Sequence, residues 1–164
     1  MSQDKTGRIK VVVDTNTLVD AIFHEESNCV DIFKYKHDGE ICFCMNQRTF
    51  QEAVTIFLRT LSEFQKRNKN IMKENRDKAL FYKLSNALWE INKVNGKTRC
   101  DYCKEDPEDN KFIDCCIDGQ IKYLVSSDHH LLGLKNSAEI KKHGIEIMTP
   151  REFSLELLRL KFDN

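Results

Sequence analysis

The sequence is poor in residues that break regular structure and carries no excess charge. Only two of its 164 residues are proline and six are glycine, and it contains neither an internal repeat nor a low-complexity linker. Its 26 lysines and arginines are balanced by 26 aspartates and glutamates, so the formal charge is zero. This balance excludes a protein that coats nucleic acid through bulk positive charge, and any such contact must come from a local patch.

Long apolar runs are also missing. No segment approaches the roughly 18 uncharged apolar residues that a membrane span requires. The stretch from Met1 to Lys10 is polar and lacks the apolar core of a signal peptide. We therefore expect a soluble, cytoplasmic protein with no membrane partner.

The seven cysteines form an odd set, and several of them stand inside apolar runs. This pattern favours reduced, buried thiols over a disulfide framework. Cys100 and Cys103 have the C-x-x-C spacing of a metal-binding pair, but a structural zinc needs four ligands. No second C-x-x-C and no closely spaced histidine pair follows a suitable loop, so zinc is the weaker interpretation.

Length and composition favour one domain spanning residues 1–164. Apolar runs typical of strands alternate with segments in which apolar residues recur at helical spacing. The predicted strands are residues 9–13, 40–44, 123–125 and 145–148, and the predicted helices include residues 15–23, 47–61 and 110–117. A capping box at Thr149 and Glu152 begins a last helix. The alternation predicts an α/β fold of three layers, with a central, mostly parallel sheet flanked by helices.

Two aspartates stand where ligands bind in such folds, beyond the carboxyl ends of the strands. Asp14 directly follows the first predicted strand, and Asp128 follows the strand at residues 123–125. Each also precedes a predicted helix, so the plainer interpretation is that each caps that helix. Either cap alone is ordinary, whereas two acids at neighbouring strand ends favour a binding site.

Asp109 stands at the head of the apolar face of the helix predicted at residues 110–117. A structural interpretation is also open, in which Asp106 caps the helix, Pro107 begins it and Asp109 interacts with the helix dipole. The spacing favours a functional carboxylate over a cap. Asp114 is rotated away from Asp109, so we expect it to lie behind the site or in solvent.

Glu52 is placed less firmly by its spacing. The apolar stripe of its helix, which includes Phe50 and Phe57, lies nearly opposite to it, as is typical of a solvated acid. Ile56 lies on the same side as Glu52, so that side could instead face a cleft. Spacing alone leaves both interpretations open.

Carboxylates that are held close together need a cation or a proton. At reduced dielectric they repel one another, so either their pKa values rise or a cation neutralises them. Mg²⁺ and Mn²⁺ prefer oxygen ligands and need only a few protein carboxylates when substrate phosphates complete the shell. Such an ion lowers the pKa of a bound water and shields charge at phosphorus, which is the chemistry of phosphodiester hydrolysis.

Four segments resemble the PIN-domain ribonucleases, the family that includes the VapC-type toxins of bacterial toxin-antitoxin systems. The segment at residues 11–16 is similar to the family's first motif, a strand followed by Asp-x-Asn. Residues 106–112 resemble the D-P-x-D-N-x-F motif of a branch described as toxin components, and residues 123–132 resemble its strand, Asp and Leu-Leu ending. Residues 145–153 also fit, and the motifs occur in the family's order from about Ile9 to Leu158.

The resemblance implies a metal-dependent endoribonuclease that cleaves single-stranded RNA with the help of one or two Mg²⁺ or Mn²⁺ ions. It places the four catalytic, metal-binding acids at Asp14, Glu52, Asp109 and Asp128. It further implies that three residues support the cluster: Asn16, Ser127 and Asp114. The acid that many relatives carry two positions after the fourth one is His130 here.

A basic segment could contact the RNA. Between Arg59 and Lys83 the net charge is +5, while between Arg99 and Asp118 it is −4, so the neutral total conceals opposed patches. The candidate phosphate contacts are Arg59, Lys66, Arg67, Lys69 and Lys73. The same helices could instead face solvent, or bind an antitoxin or a second copy of the chain.

Two other functions compete with the ribonuclease. A PIN-like module that binds RNA or protein without cleaving would need no acids, yet all four are present. A receiver-type or flavodoxin-like domain also gathers acids at strand ends. However, the predicted strand at residues 40–44 ends in cysteine and is followed by methionine, where a receiver needs a phospho-acceptor aspartate.

Overall fold

The computed structural model describes residues 3–67 and 73–163, and leaves the side chains of residues 67 and 73–77 out of the description. Within those ranges, no helix combines the length and the apolar character needed to cross a membrane.

The centre of the fold is a five-stranded sheet in which every neighbouring pair is parallel. Its order is β3-β2-β1-β4-β5. The strands are β1 (Ile9–Val13), β2 (Ile41–Met45), β3 (Asn92–Lys93), β4 (Tyr123–Val125) and β5 (Glu146–Met148). The prediction of a central parallel sheet flanked by helices is therefore confirmed.

Helices connect the strands and cover the sheet. They are α1 (Thr15–Val19), α2 (Ser27–His37), α3 (Gln47–Arg67), α4 (Lys73–Leu88), α5 (Asn110–Gly119), α6 (His129–Gly133), α7 (Ala138–Lys142) and α8 (Pro150–Phe162). A π-helical turn (Asp20–His24) extends α1, and a 3₁₀ turn (Pro107–Asp109) leads into α5. The capping box predicted for α8 is present, because the side chains of Thr149 and Glu152 each accept from the other residue's backbone N–H.

Two apolar layers sit on opposite faces of the sheet because alternate strand residues point in opposite directions. Val11 and Val13 face a layer that includes Phe57 of α3 and Phe153 of α8. Val12 faces the other layer, which includes α5 residues and the five buried thiols of Cys42, Cys44, Cys103, Cys115 and Cys116. All seven cysteines are unpaired thiols, as predicted.

One packing prediction was wrong. Phe50 was assigned to the core face of α3, but it is 37% exposed, while Ala53 and Phe57 carry that face. The apolar stripe is displaced because α3 is anchored at its start by Asn46 and Thr49, which exchange hydrogen bonds and set the rotation of the first turn. The prediction did not take this anchor into account.

Candidate active site

Asp14 lies at the carboxyl end of the central strand β1 and is buried. Its backbone N–H donates to the Val125 carbonyl of β4 at 3.0 Å, which fixes the residue beside the neighbouring strand end. Its side chain also caps α1, since the Thr17 N–H donates to Asp14 Oδ1 at 2.6 Å. The Ser126 hydroxyl donates to the other oxygen, Oδ2. Capping and membership of an acidic cluster are thus compatible in one side chain.

Asp128 follows β4 and is linked to Asp14 through Ser126. The Asp128 N–H donates to Ser126 Oγ at 2.9 Å, and the same hydroxyl donates to Asp14. Asp128 also caps α6, because the His130 N–H donates to its Oδ1 at 2.7 Å. The predicted cap is therefore present for both aspartates, and in each case it uses only one of the two carboxylate oxygens, Oδ1.

Asp109 ends the 3₁₀ turn and brings a third carboxylate to the same end of the sheet. The alternative structural assignment was correct for Asp106, whose side chain accepts from the Glu108 N–H at 3.1 Å. Asp109 itself makes no such capping bond to α5. Its Oδ2 is buried and has no hydrogen-bond partner among the described residues. A buried oxygen without a hydrogen-bond partner destabilises the folded protein unless it is protonated or bound by a ligand.

The three aspartates act on one another electrostatically. Burial raises the pKa of Asp109 to about 6, and the charges of Asp106, Asp128 and Asp14 contribute, against a smaller opposing effect of Lys111. Burial also raises the pKa of Asp14, and the Asp128 charge adds to it, although the bonds from Ser126 and Thr17 oppose the shift. The positions at the ends of β1, β4 and the 3₁₀ turn therefore form one acidic cluster.

Glu52 reaches the edge of this cluster from α3 and is neutralised there. The Thr15 hydroxyl donates to Glu52 Oε1 at 2.7 Å. The Lys111 ammonium forms an ion pair with Oε2, and its own side chain is only 5% exposed. Glu52 is thus partly buried and is held as half of an ion pair.

Asn110 is a residue that sequence reasoning missed. Its side-chain oxygen accepts from the backbone N–H groups of Tyr102 and Cys103, each at 2.9 Å. Its amide nitrogen donates to the carbonyls of Cys103 at 2.9 Å and Pro107 at 3.1 Å. One buried side chain therefore holds the loop that precedes Asp109. The D-N pair in the motif was the available signal, since asparagine commonly bonds to nearby backbone.

Asp114 supports the site from behind, and the prediction that it could be solvated is wrong. Its side chain is buried, accepts from the Cys100 N–H at 2.8 Å and pairs with Arg48 at 2.9 Å. It fixes the loop at Cys100 to the helix, and the thiol of Cys100 in turn donates to Asn110.

Replacing Arg48 by Met should leave the buried Asp114 carboxylate without its cation. We expect a loss of about 1–3 kcal/mol in the free energy of unfolding, because the acceptor loses its charged partner. The double variant Arg48→Met, Asp114→Asn should recover part of this loss, since Asn still accepts from Cys100. Urea unfolding of both variants checks the expectation, and an unchanged midpoint for Arg48→Met would contradict it.

Asn16 and Ser127, which the resemblance assigns to support the cluster, are both exposed. The Asn16 side chain makes no hydrogen bond to the described residues, while the Ser127 hydroxyl lies 3.5 Å from the Thr17 hydroxyl and also contacts the Cys29 thiol. Ser126, one residue earlier, is fully buried and links Asp14 to Asp128. Ser126 and Ser127 directly follow β4, and the difference fits the alternation of extended backbone, in which neighbouring residues point to opposite sides.

The neighbouring serines provide a matched pair of variants. Ser126→Ala should lower the free energy of unfolding by about 1–3 kcal/mol, because it leaves two buried groups without their partner. Ser127→Ala, a change of the same size on an exposed side chain, should stay within about 0.5 kcal/mol of the parent protein. Equal midpoints for the two variants in urea unfolding would show that the Ser126 bridge contributes nothing.

The predicted RNA-contacting segment is only partly described. Arg59 and Lys66 lie on exposed positions of α3, and Arg59 approaches Glu63 at 3.7 Å. Lys69 lies outside the described residues, as do the side chains of Arg67 and Lys73.

The cluster fits a divalent cation by the chemistry of its donors. The donors are carboxylate oxygens, which hard ions such as Mg²⁺ and Mn²⁺ prefer. Asp109 Oδ2 is buried and accepts from no group in the described ranges, and the pKa values of Asp14 and Asp109 are raised by burial and by neighbouring negative charges. Among the described residues, the group of three whose donor atoms lie within 4.8 Å of one another is Asp128, His129 and His130, and it shares Asp128 with the acidic cluster.

Comparison with known proteins identifies the family. The PIN domain model matches residues 10–130, so the chain belongs to the PIN domain family, whose members are generally nucleases. PAE2754 from Pyrobaculum aerophilum is similar in structure, with a TM-score of 0.52 and 15% identity over 92% of this chain and 90% of that chain. This likeness supports the fold. The family predicted from the order of the motifs is confirmed.

A further solved structure is more distant. It is the crystal structure of VapBC2 from Rickettsia felis, bound to a DNA fragment from its promoter. Comparison with this chain gives a TM-score of 0.47 and 14% identity over 86% of this chain and 98% of that chain. A search among curated proteins returned no match.

Proposed function

We propose that this chain is a metal-dependent endoribonuclease that cleaves single-stranded RNA and acts as the toxin component of a toxin-antitoxin pair in the cytoplasm. The observation that carries the proposal is the convergence of Asp14 and Asp128, at the carboxyl ends of parallel strands, with Asp109 of the 3₁₀ turn, one buried oxygen of which has no partner among the described residues. Membership of a family of nucleases supports the same chemistry.

Each acid has a role in the proposal. Asp14, Asp109 and Asp128 hold Mg²⁺ or Mn²⁺, directly or through water. A bound ion of this kind supplies a more acidic water and shields the charge that develops at phosphorus. Ser126 keeps Asp14 and Asp128 in register through its hydroxyl, and Asn110 fixes the backbone that presents Asp109. Glu52 contributes through its pair with Lys111.

Binding surfaces for the RNA and the antitoxin lie outside the acidic cluster in this proposal. Exposed basic residues of α3, such as Arg59 and Lys66, are available to contact phosphates. Phe64 does not serve for base stacking, because it is partly buried against Phe23 at 6.4 Å. Phe81 and Tyr82 of α4 are largely exposed, which supports a role in stacking or in contacting a protein partner.

The test is incubation of the purified protein with end-labelled single-stranded RNA, with Mn²⁺ or with EDTA. We expect internal cleavage only with the metal, and none by the Asp14→Asn variant. Asp38→Asn is the matched control, because Asp38 is exposed at the end of α2 just before β2, at the opposite end of the sheet.

Two results would contradict the proposal. Cleavage that persists in EDTA, or that survives in Asp14→Asn, would show that the acidic cluster is not the active site. Folded protein that binds RNA without cutting it under any condition would instead favour the alternative of a catalytically inactive RNA- or protein-binding module.

A further inference from the structure

Lys111 places a buried positive charge beside the acidic cluster. The residue is 4% exposed, although its predicted helix gave no reason to expect a buried lysine. Its ammonium pairs with Glu52 Oε2 and donates to the Glu108 carbonyl at 2.7 Å. It also lies 5.0 Å from the centre of the Phe112 ring. A buried ammonium with these partners is fixed in place, since losing them would leave a charge without solvent or counter-charge.

Glu52 is fully engaged by protein groups as a result. One oxygen accepts from the Thr15 hydroxyl and the other is paired with Lys111. Asp109 differs, because one of its oxygens is buried and accepts from none of the described residues. The four acids therefore divide into three aspartates that form no ion pair with the described residues and one glutamate that does.

We propose that the Lys111 ammonium stands in place of a second metal ion on the Glu52 side of the site, so that the chain binds one divalent ion, through Asp14, Asp109 and Asp128. The inference rests on the proposed function and names how many ions that site takes. Lys111 is a positioning residue in this arrangement: it holds Glu52 in place and excludes a further cation.

The charges explain why a second ion is excluded. A dication that approached Glu52 would have to displace the ammonium from the carboxylate or remain close to it, and like charges repel strongly where solvent is limited. The ammonium is held in a buried position, because the lysine side chain is only 5% exposed. One divalent ion among three aspartates leaves little negative charge to attract another.

Counting bound Mn²⁺ tests the inference without any need for cleavage. The full-length protein is titrated with Mn²⁺, and the free ion is measured by its electron paramagnetic resonance signal. We expect one ion per chain for the parent protein. Lys111→Met, which removes the charge but keeps the bulk of the side chain, should bind two. Lys111→Met combined with Glu52→Gln should return to one.

Glu52→Gln alone guards against a Lys111 variant that does not fold. This variant should still bind one Mn²⁺, because Asp14, Asp109 and Asp128 are unchanged, although the uncompensated Lys111 charge should weaken the affinity. Circular dichroism of each variant establishes that it is folded before it is titrated.

The outcomes separate the inference from the proposed function. Two ions in the parent protein, falling to one in Glu52→Gln, would overturn the inference and leave a metal-dependent nuclease intact. One ion in a folded Lys111→Met variant would also overturn it. A parent protein that binds no Mn²⁺ would overturn the proposed function itself.

Discussion

Replacing Asp109 by Asn is expected to stabilise the metal-free protein while abolishing its nuclease activity. The folded protein holds the pKa of this carboxyl at about 6, above the ordinary value of 3.8, chiefly because the group is buried. The folded state therefore binds the proton more tightly than the unfolded state does. The corresponding stability is fully present below pH 4 and is lost as the pH rises through 6.

Above pH 6 the ionised Asp109 side chain destabilises the fold. A pKa shift of this size lowers the free energy of unfolding by at most about 3 kcal/mol. Because the carboxyl group is partly accessible to solvent, we expect a loss of about 1–2 kcal/mol. Asn has nearly the same shape and no charge, so Asp109→Asn should gain this amount at pH 8 and nothing at pH 4. Cleavage should fall by more than about 100-fold, because the substitution removes a proposed metal ligand.

Urea unfolding in EDTA at both pH values measures the stability, and the labelled RNA assay measures the activity. Glu108→Gln is the matched control, since it removes one negative charge from the neighbouring exposed residue and should change neither quantity appreciably. A gain in stability that persists at pH 4, or a loss at pH 8, would show that the buried charge of Asp109 is not its source.

Asn110→Ala is expected to be the most destabilising single change at the site. The side chain is 4% exposed and bonds to the backbone of three residues, Tyr102, Cys103 and Pro107. Its removal leaves two buried N–H groups and two carbonyls without these partners. We expect a loss of about 3–5 kcal/mol, because an unsatisfied buried polar group costs about 1–3 kcal/mol and water re-enters only in part.

The loss should extend to function, because the freed loop leads directly into Asp109. We expect the Asn110→Ala variant to bind Mn²⁺ more weakly even under conditions where it is fully folded. Asn136→Ala, at an exposed turn position, controls for the loss of an amide and should stay within about 0.5 kcal/mol of the parent protein. Equal unfolding midpoints for the two variants would show that the loop is held by other contacts.

Strands and helices whose residue pattern is visible within one short segment could be predicted from the sequence. The strand Ile9–Val13 is β-branched and buried, and the position of Asp14 at its end followed from the rules of parallel sheets. The two residues of β3, Asn92 and Lys93, carry no such signal. They form a strand because they pair with Cys44 and Met45 of β2, and this pairing joins segments that are distant in the sequence.

The candidate site was predictable at its acids but not at the groups that hold them. Asp14 and Asp128 could be found because a strand end is visible in the sequence. The pairing of Glu52 with Lys111 joins two helices separated by more than fifty residues, and spacing within one helix says nothing of it. Whether Ser126 or Ser127 contacts the aspartates depends on which of these two neighbours, directly after β4, faces the cluster. A shift of one position would reverse the outcome, and the sequence does not show it.

The outer strands of the sheet also determine how two copies of the chain could associate. β3 has two residues and β5 has three, and each carries a charged residue, Lys93 and Glu146. Edges so short and charged expose too few free backbone groups to template a further strand from another molecule. A dimer of this protein would therefore have to form through its helices, and its sheet should resist the edge-to-edge growth that leads to aggregation.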